Sequence, residues 1–234
     1  MLSAIKHFLR KRAPFLVSTW RRLKYSPIGG RTAERVFVMM YQDKKLREGH
    51  SSSGSGSSLA QTKLIRQALP DMIQELGCRS LLDVPCGDFF WIKNVNLNID
   101  YIGGDIVEDI IDRNTRVYGN AQRRFIRIDL TQNELPKADL VLCRDCLVHF
   151  RYSRIFAALR NIKRSGSGYL LTTTFPEEGL NQDIPTGAWR PINLQLAPFR
   201  FPLPIRVINE GHPEADYRDK SLALWRIADI PDFE

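Results

Sequence analysis

Residues 81–88, Leu-Leu-Asp-Val-Pro-Cys-Gly-Asp, read as a buried strand that closes on a carboxylate and runs into a tight turn opening a helix. About twenty residues on, Tyr101-Ile-Gly-Gly-Asp105 repeats the arrangement: a short apolar run, then an acid. Asp129 and Asp139 follow at or just before further strand-like runs. Strand-end carboxylates at this spacing belong to α/β sheets, at the crevice where nucleoside-containing cofactors bind. Four such units in register exceed what a generic core needs.

The rest of the pattern agrees. Strands are expected at Ser80–Val84, Tyr101–Gly104, Phe125–Ile128, Asp139–Cys143 and Tyr169–Phe175. Helices are expected at Thr32–Leu46, Leu59–Leu76 (stopped by Gly77), Glu108–Val117 and Tyr152–Ile162. Alternating strands and helices imply crossover units and a mostly parallel sheet with helices on both faces. Ile205–Asn209 and Leu222–Ile227 then read as two strands joined by a polar turn, an antiparallel hairpin on the sheet edge. The expected fold is a Rossmann-like, seven-stranded α/β domain over residues 59–234. Residues 1–58 form a basic helical extension and a Ser/Gly-rich stretch.

On residues 81–88, Asp105, Asp129 and the run Asp139-Leu-Val-Leu-Cys-Arg-Asp145, the chain resembles the class I S-adenosylmethionine (SAM)-dependent methyltransferases, in particular a bacterial branch with Asp-Val-Pro-Cys-Gly-Asp as its first motif. The resemblance covers roughly residues 78–175. It implies SAM as cofactor, with Asp83 holding the methionyl ammonium and Gly87 giving close backbone approach in the Pro85–Asp88 turn. A helix opening there would favour the methionyl carboxylate. Asp105 would accept the ribose hydroxyls, with Ile106 beside it. Asp129 would accept from the adenine amino group, with Ile128 and Leu130 flanking the ring. The first motif departs from the usual three glycines, since Pro85 and Phe89 occupy two of those places.

The fourth motif implies that Arg144, Asp145 and His149 face the transfer site. Asp145 or His149 then offers a proton acceptor for a hydroxyl nucleophile, although His149 also reads as an ordinary helix-start histidine. Residues 176–204 form a long insertion between two core strands, rich in proline and carrying Trp189, Arg190, Asn193, Phe199 and Phe201. Insertions of this length are functional or disordered, and the aromatic content argues for order. Trp189-Arg190 reads either as a stacking face with an anion clamp over the substrate, giving Arg190 a catalytic role, or as part of a lid packed for stability. Gly49–Ser58 (GHSSSGSGSS) reads equally as a linker or as a flap over the cofactor.

Charge is uneven. Residues 1–33 hold eight of the 34 Lys/Arg and no acid, leaving 26 cations against 26 anions in the body. A neutral body lacks the footprint of a nucleic-acid enzyme, so no nucleic-acid partner is expected. The arm interleaves Ile5, Phe8, Leu9, Leu16, Val17 and Trp20 with its cations. That composition suits peripheral contact with an anionic membrane, resembles an acid-poor transit peptide, and equally suits a helix packed on the domain. With neither a ~20-residue apolar span nor a signal-peptide core, a cytoplasmic location is expected, with membrane association through the arm. The four cysteines (78, 86, 143 and 146) read as reduced, buried side chains, and no metal is expected.

The functional expectation is therefore methyl transfer from SAM to a small-molecule or glycan-type acceptor, at oxygen or nitrogen. The alternative is a non-catalytic methyltransferase-like scaffold tethered by its basic arm. A nicotinamide oxidoreductase is excluded by the single glycine between residues 83 and 92.

Overall fold

Strand alternation builds the core. In the computed structural model, which describes residues 32–45, 51–214 and 217–233, the strands are β1 (Ser80–Asp83), β2 (Asp100–Asp105), β3 (Arg123–Arg127), β4 (Leu140–Cys143), β5 (Tyr169–Thr174), β6 (Arg206–Asn209) and β7 (Ser221–Arg226). Successive side chains on a strand point to opposite faces, and the core divides accordingly. Leu82, Val141, Leu170, Ala223 and Trp225 enter one apolar layer. Leu81, Leu140, Leu142, Leu171, Leu222 and Leu224 enter the other.

The sheet order is β3-β2-β1-β4-β5-β7-β6. The first five strands pair in parallel. β7 runs antiparallel to β5, and β6 antiparallel to β7. The expected seven-stranded sheet with a terminal antiparallel hairpin is thus observed. The sequence of strands reverses direction across β1 and β4, and the ligand crevice of such sheets lies there, at the strand C-termini.

Among the described residues four α-helices accompany the sheet: α1 (Ala33–Lys45), α2 (Lys63–Glu75), α3 (Glu108–Tyr118) and α4 (Tyr152–Arg164). α4 buries Ile155, Ala158, Leu159 and Ile162 on the first layer, while α2 buries Ile65, Leu69, Met72 and Ile73 on the second. α2 ends as its glycine requires. Gly77 adopts φ +64, its N–H reaches the Gln74 carbonyl, and the Cys78 N–H reaches that of Ile73. The basic arm up to Arg31 lies outside the described residues, so the membrane-surface expectation falls there too.

One local expectation is corrected. The turn after β1 opens no α-helix; the link from β1 to β2 contains a single three-residue 3₁₀ turn, Ile92–Asn94. Phe89 explains the difference. It takes φ +57 and is buried against Tyr101, Tyr118 and Phe125 at ring-centroid distances of 5.1, 5.1 and 5.2 Å. Trp91 and Ile92 are buried beside it. Three large apolar side chains within four residues face the sheet together, which a 3.6-residue helical period does not allow.

The insertion over residues 176–204 is irregular in backbone yet buried. Ile192, Leu194, Phe199 and Phe201 join the α4-side layer. Two asparagines stitch it. Asn181 Nδ2 donates to the carbonyls of Asn193 (2.8 Å) and Ala197 (2.9 Å), and Asn193 Nδ2 to those of Pro176 and Glu178.

Candidate cofactor and transfer site

A cleft opens at the C-terminal ends of β1, β2 and β4, with about 1110 Å³ of empty space, part of it open to solvent. Asp83, Pro85, Gly87, Asp105 and Ile106 line it, together with Asp129, Leu130 and Arg144. Asp145 and His149 line it as well.

Asp83 ends β1 and is 3% exposed. Among the described residues its hydrogen-bond donor is Tyr101, whose Oη approaches Oδ2 at 2.6 Å. Burial pushes the Asp83 carboxyl up to about 7, against the opposing pull of the Tyr101 bond. A buried carboxylate with so little compensation is suited to a ligand cation. Asp105 ends β2. Its Oδ2 accepts from the Gly87 N–H (3.1 Å) and Oδ1 from the Val107 N–H (3.0 Å). Burial carries it up to about 6, with those backbone bonds working against the rise. With the backbone N–H groups of Gly87, Val107 and Ile106 drawing on its four lone pairs, the carboxylate keeps capacity for a ligand hydroxyl.

In place of a helix, the turn after β1 is fastened by side chains. Asn114 of α3, fully buried, donates from Nδ2 to the Gly87 carbonyl at 2.8 Å. Gly87 itself takes φ +54, and a Cβ there would fall 2.1 Å from Ser53 Oγ. Only glycine fits the combination of conformation and space.

The serine-rich stretch closes the cleft from above. Asp88 gathers it. Ser51 Oγ donates to Oδ1 (2.9 Å), Ser53 Oγ to Oδ1 (3.1 Å), and both Ser52 N–H (2.7 Å) and Ser52 Oγ (3.0 Å) to Oδ2. Further along, Arg144 Nη2 donates to the Gly56 carbonyl at 2.8 Å. Residues 51–58 are thus pinned at both ends of the cleft, and Ser52, Ser53 and Ser57 line it. α1 supplies another wall through Phe37, Met40 and Tyr41. It is held there by a Glu34–Arg127 ion pair (2.5 Å) and by Phe37 packing on Phe150 at 5.8 Å. Sequence reading placed Asp88 in the cofactor turn without its grip on the serine loop, and did not assign Phe37, Tyr41 or Asn114 to the site. The signal within reach was the run of three serines, whose hydroxyls need a common acceptor when ordered.

Arg144 and Asp145 belong to a buried four-charge network. Arg144 donates to Glu210 from Nε (3.1 Å) and Nη2 (2.6 Å), and its Nη1 lies 3.3 Å from Asp145 Oδ2. Lys220 Nζ bridges Asp145 (2.7 Å) and Glu210 (3.2 Å). Burial would raise the Asp145 carboxyl, but the Arg144 and Lys220 cations outweigh it and hold it well below the usual carboxylate range. Such a carboxylate is a poor proton acceptor, which corrects the expectation for Asp145.

His149 differs. Its Nδ1 lies 2.9 Å from the Ala188 carbonyl. A carbonyl only accepts, so Nδ1 carries the proton and Nε2 is the acceptor nitrogen of the neutral ring. Asp129 lines the cleft, but its oxygens accept from Thr131 N–H and Oγ1, Gln132 Nε2 and Arg154. Its lone pairs are largely committed within the protein, leaving Ile128 and Leu130 as the apolar flanks.

The expectation that Arg190 clamps a substrate is overturned. Arg190 is 1% exposed and donates to the carbonyls of Gln182, Leu147, Val148 and Phe150. Its neighbour Trp189 packs edge-on against Tyr217 and Phe175. A cationic fork whose donors meet four carbonyls in the interior has no reach into the cleft. The four cysteines are free and buried, and no group of His, Cys, Asp and Glu among the described residues could hold a metal ion. No helix among them is long and apolar enough to cross a membrane.

The sheet order is that of the class I SAM-dependent methyltransferase fold, and solved structures share it. Human N-acetylserotonin methyltransferase, solved with SAM, superposes with a TM-score of 0.57 at 15% identity, over 93% of this chain and 68% of its own. Magnesium protoporphyrin IX methyltransferase from Synechocystis, with bound SAM, gives 0.57 at 16% identity, over 84% and 98%. The Burkholderia thailandensis 1,6-didemethyltoxoflavin N1-methyltransferase, with its substrate and S-adenosylhomocysteine (SAH), gives 0.54 at 16%, over 82% and 86%. In sequence, 120 residues match uncharacterized methyltransferases of Mycobacterium tuberculosis and Mycobacterium bovis at 28% identity, over 50% of this chain. The chain spans 61% of the length of these curated relatives. No family model matches it.

Proposed function

We propose that this protein binds SAM in the cleft and methylates a small-molecule or glycan-type acceptor. The carrying observation is the convergence of Asp83, the Gly87 turn and Asp105 on one cleft, at the switch point of a sheet in methyltransferase order. Bound there, SAM supplies an electrophilic methyl group. Asp83 holds the methionyl ammonium, Asp105 the ribose hydroxyls, and Ile106, Ile128 and Leu130 the faces of the adenine. Arg144 contributes to the cofactor site by anchoring the serine loop over it.

The chain's contribution to the reaction is positioning and exclusion of water, which can supply most of the acceleration in a bimolecular transfer. His149 takes the proton of a protic acceptor through Nε2, which favours a hydroxyl as the methylated group. Asp145 fixes the local charge through its two cations. Small-molecule acceptors are supported by the structural neighbours named for N-acetylserotonin, magnesium protoporphyrin IX and didemethyltoxoflavin.

Calorimetric titration with SAM, and separately with SAH, tests the reading. Micromolar binding of both is expected, with sharp weakening in Asp105→Ala. A folded protein that binds neither, or whose affinity ignores that substitution, refutes it.

A further inference from the structure

The interior placement of Arg190 raises the question of what a buried guanidinium accomplishes there. A buried charge is costly, and an apolar side chain of similar volume commonly replaces one without loss of stability. Arg190 nevertheless directs Nη1 at the Leu147 (3.0 Å) and Val148 (2.9 Å) carbonyls and Nη2 at that of Phe150 (2.8 Å). These residues make up and follow the 3₁₀ turn Leu147–His149. The turn closes on the Leu147 carbonyl through the Phe150 N–H (3.1 Å) and leaves the Val148 and Phe150 carbonyls to donors outside it.

The same stretch of the insertion grips His149 from other sides. The Gly187 N–H donates to the His149 carbonyl at 2.8 Å, and the Arg190 N–H to that of Val148 at 3.1 Å. The Ala188 carbonyl takes the ring's Nδ1–H at 2.9 Å. Three residues of one segment, Gly187, Ala188 and Arg190, thus hold the ring of His149 and the backbone around it. The Arg190 fork joins the two stretches of chain two positions from Ala188, whose carbonyl meets the imidazole.

We propose that Arg190 is a positioning residue that sets the tautomer of His149, and that residues 187–190 serve to mount this histidine at the cleft. This deepens the reading of His149 as proton acceptor and rests on it. With Nδ1–H held by a carbonyl, a neutral His149 presents Nε2 as its basic nitrogen. Loss of the mount would let both tautomers populate, and one of them cannot take a proton at Nε2.

Long-range ¹H–¹⁵N correlation spectra of the full chain read the tautomer directly. The protein has four histidines, and His149→Gln assigns the relevant signals. The wild-type ring is expected to be essentially all Nδ1–H at a pH where it is neutral. In Arg190→Lys, which keeps the charge but loses the fork, a mixture of tautomers is expected, with SAH affinity within about threefold of wild type. An unchanged Nδ1–H ring in folded Arg190→Lys overturns the proposal, as does a wild-type ring protonated on Nε2.

Should Arg190→Lys not fold, hydrogen exchange in the wild type decides. The amides of Gly187 and Arg190 are expected to exchange within about tenfold of the β4 amides. Exchange at loop-like rates overturns the mount. SAH titration of the same wild-type sample separates the two claims. Absent binding refutes the cofactor reading, while the tautomer result still stands or falls by itself.

Discussion

Tyr101 and Asp83, on neighbouring strands of the sheet, share a 2.6 Å hydrogen bond beneath the cleft, and both are buried. The bond is the main compensation for a carboxyl that burial pushes up to about 7. A ligand ammonium at Asp83 binds the ionised form, so SAH affinity should rise between about pH 6 and 8 and level off above. The ligand-free protein should show the reverse dependence. Folded values above the ordinary carboxylate range, for Asp83 and for Asp105 at about 6, give stability that is present at low pH and lost as pH rises through them. Melting curves with and without SAH across this range check both signs. A ligand-induced shift that does not change with pH contradicts the assignment of Asp83.

Removal of the hydroxyl sharpens this. Tyr101→Phe deprives a buried carboxylate of its donor, and bonds to charged groups contribute about 1.5–3 kcal/mol. SAH affinity at pH 7 should fall roughly tenfold or more, and the pH profile should move upward. Calorimetry at pH 7 and 8.5 measures both, with recovery at the higher pH as the expected mark.

Glu210 contributes to stability rather than to binding. Its side chain is fully buried and meets both Arg144 and Lys220. Glu210→Ala leaves two cations facing Asp145 alone. Breaking one partner from a buried ionic network costs about 3–5 kcal/mol. Urea unfolding should show a loss of that order; a loss below about 1 kcal/mol would mean the network is effectively solvated.

Asp88 acts on the serine loop. Asp88→Ala releases Ser51, Ser52 and Ser53 together, so hydrogen exchange over residues 51–58 should accelerate while the sheet stays protected. SAH affinity should drop roughly tenfold, equivalent to about 1.4 kcal/mol. Unchanged exchange in the loop would show that Asp88 does not hold it.

Much of the fold was legible in the sequence because the relevant signals are local. Leu-Leu at 81–82 and Leu-Val-Leu at 140–142 alternate between two buried layers, so they read as central strands without reference to their neighbours. Asp83, Gly87 and Asp105 were legible for the same reason, since an acid at a strand end and a glycine in the next turn are sequence-adjacent facts. The helix expected after the first turn was misread. A glycine-bearing turn predicts a helix only when the residues after it can turn one face inward, and Phe89, Trp91 and Ile92 all face inward.

The sequence by itself thus determined most of the strand and helix succession, the sheet class and three of the acids that line the cleft, Asp83, Asp105 and Asp129. Each follows from the period of apolar residues and from what terminates the run. Only the tertiary structure decided which distant groups meet. Ser51 and Asp88 lie 37 positions apart, Arg144 and Glu210 lie 66 apart, and Arg190 reaches the Phe150 carbonyl 40 positions away. Hydrogen bonds and ion pairs at such separations depend on how loops gather at one edge of the sheet. No local pattern records that, and so the clasp, the charge network and the mount of His149 appear only in three dimensions.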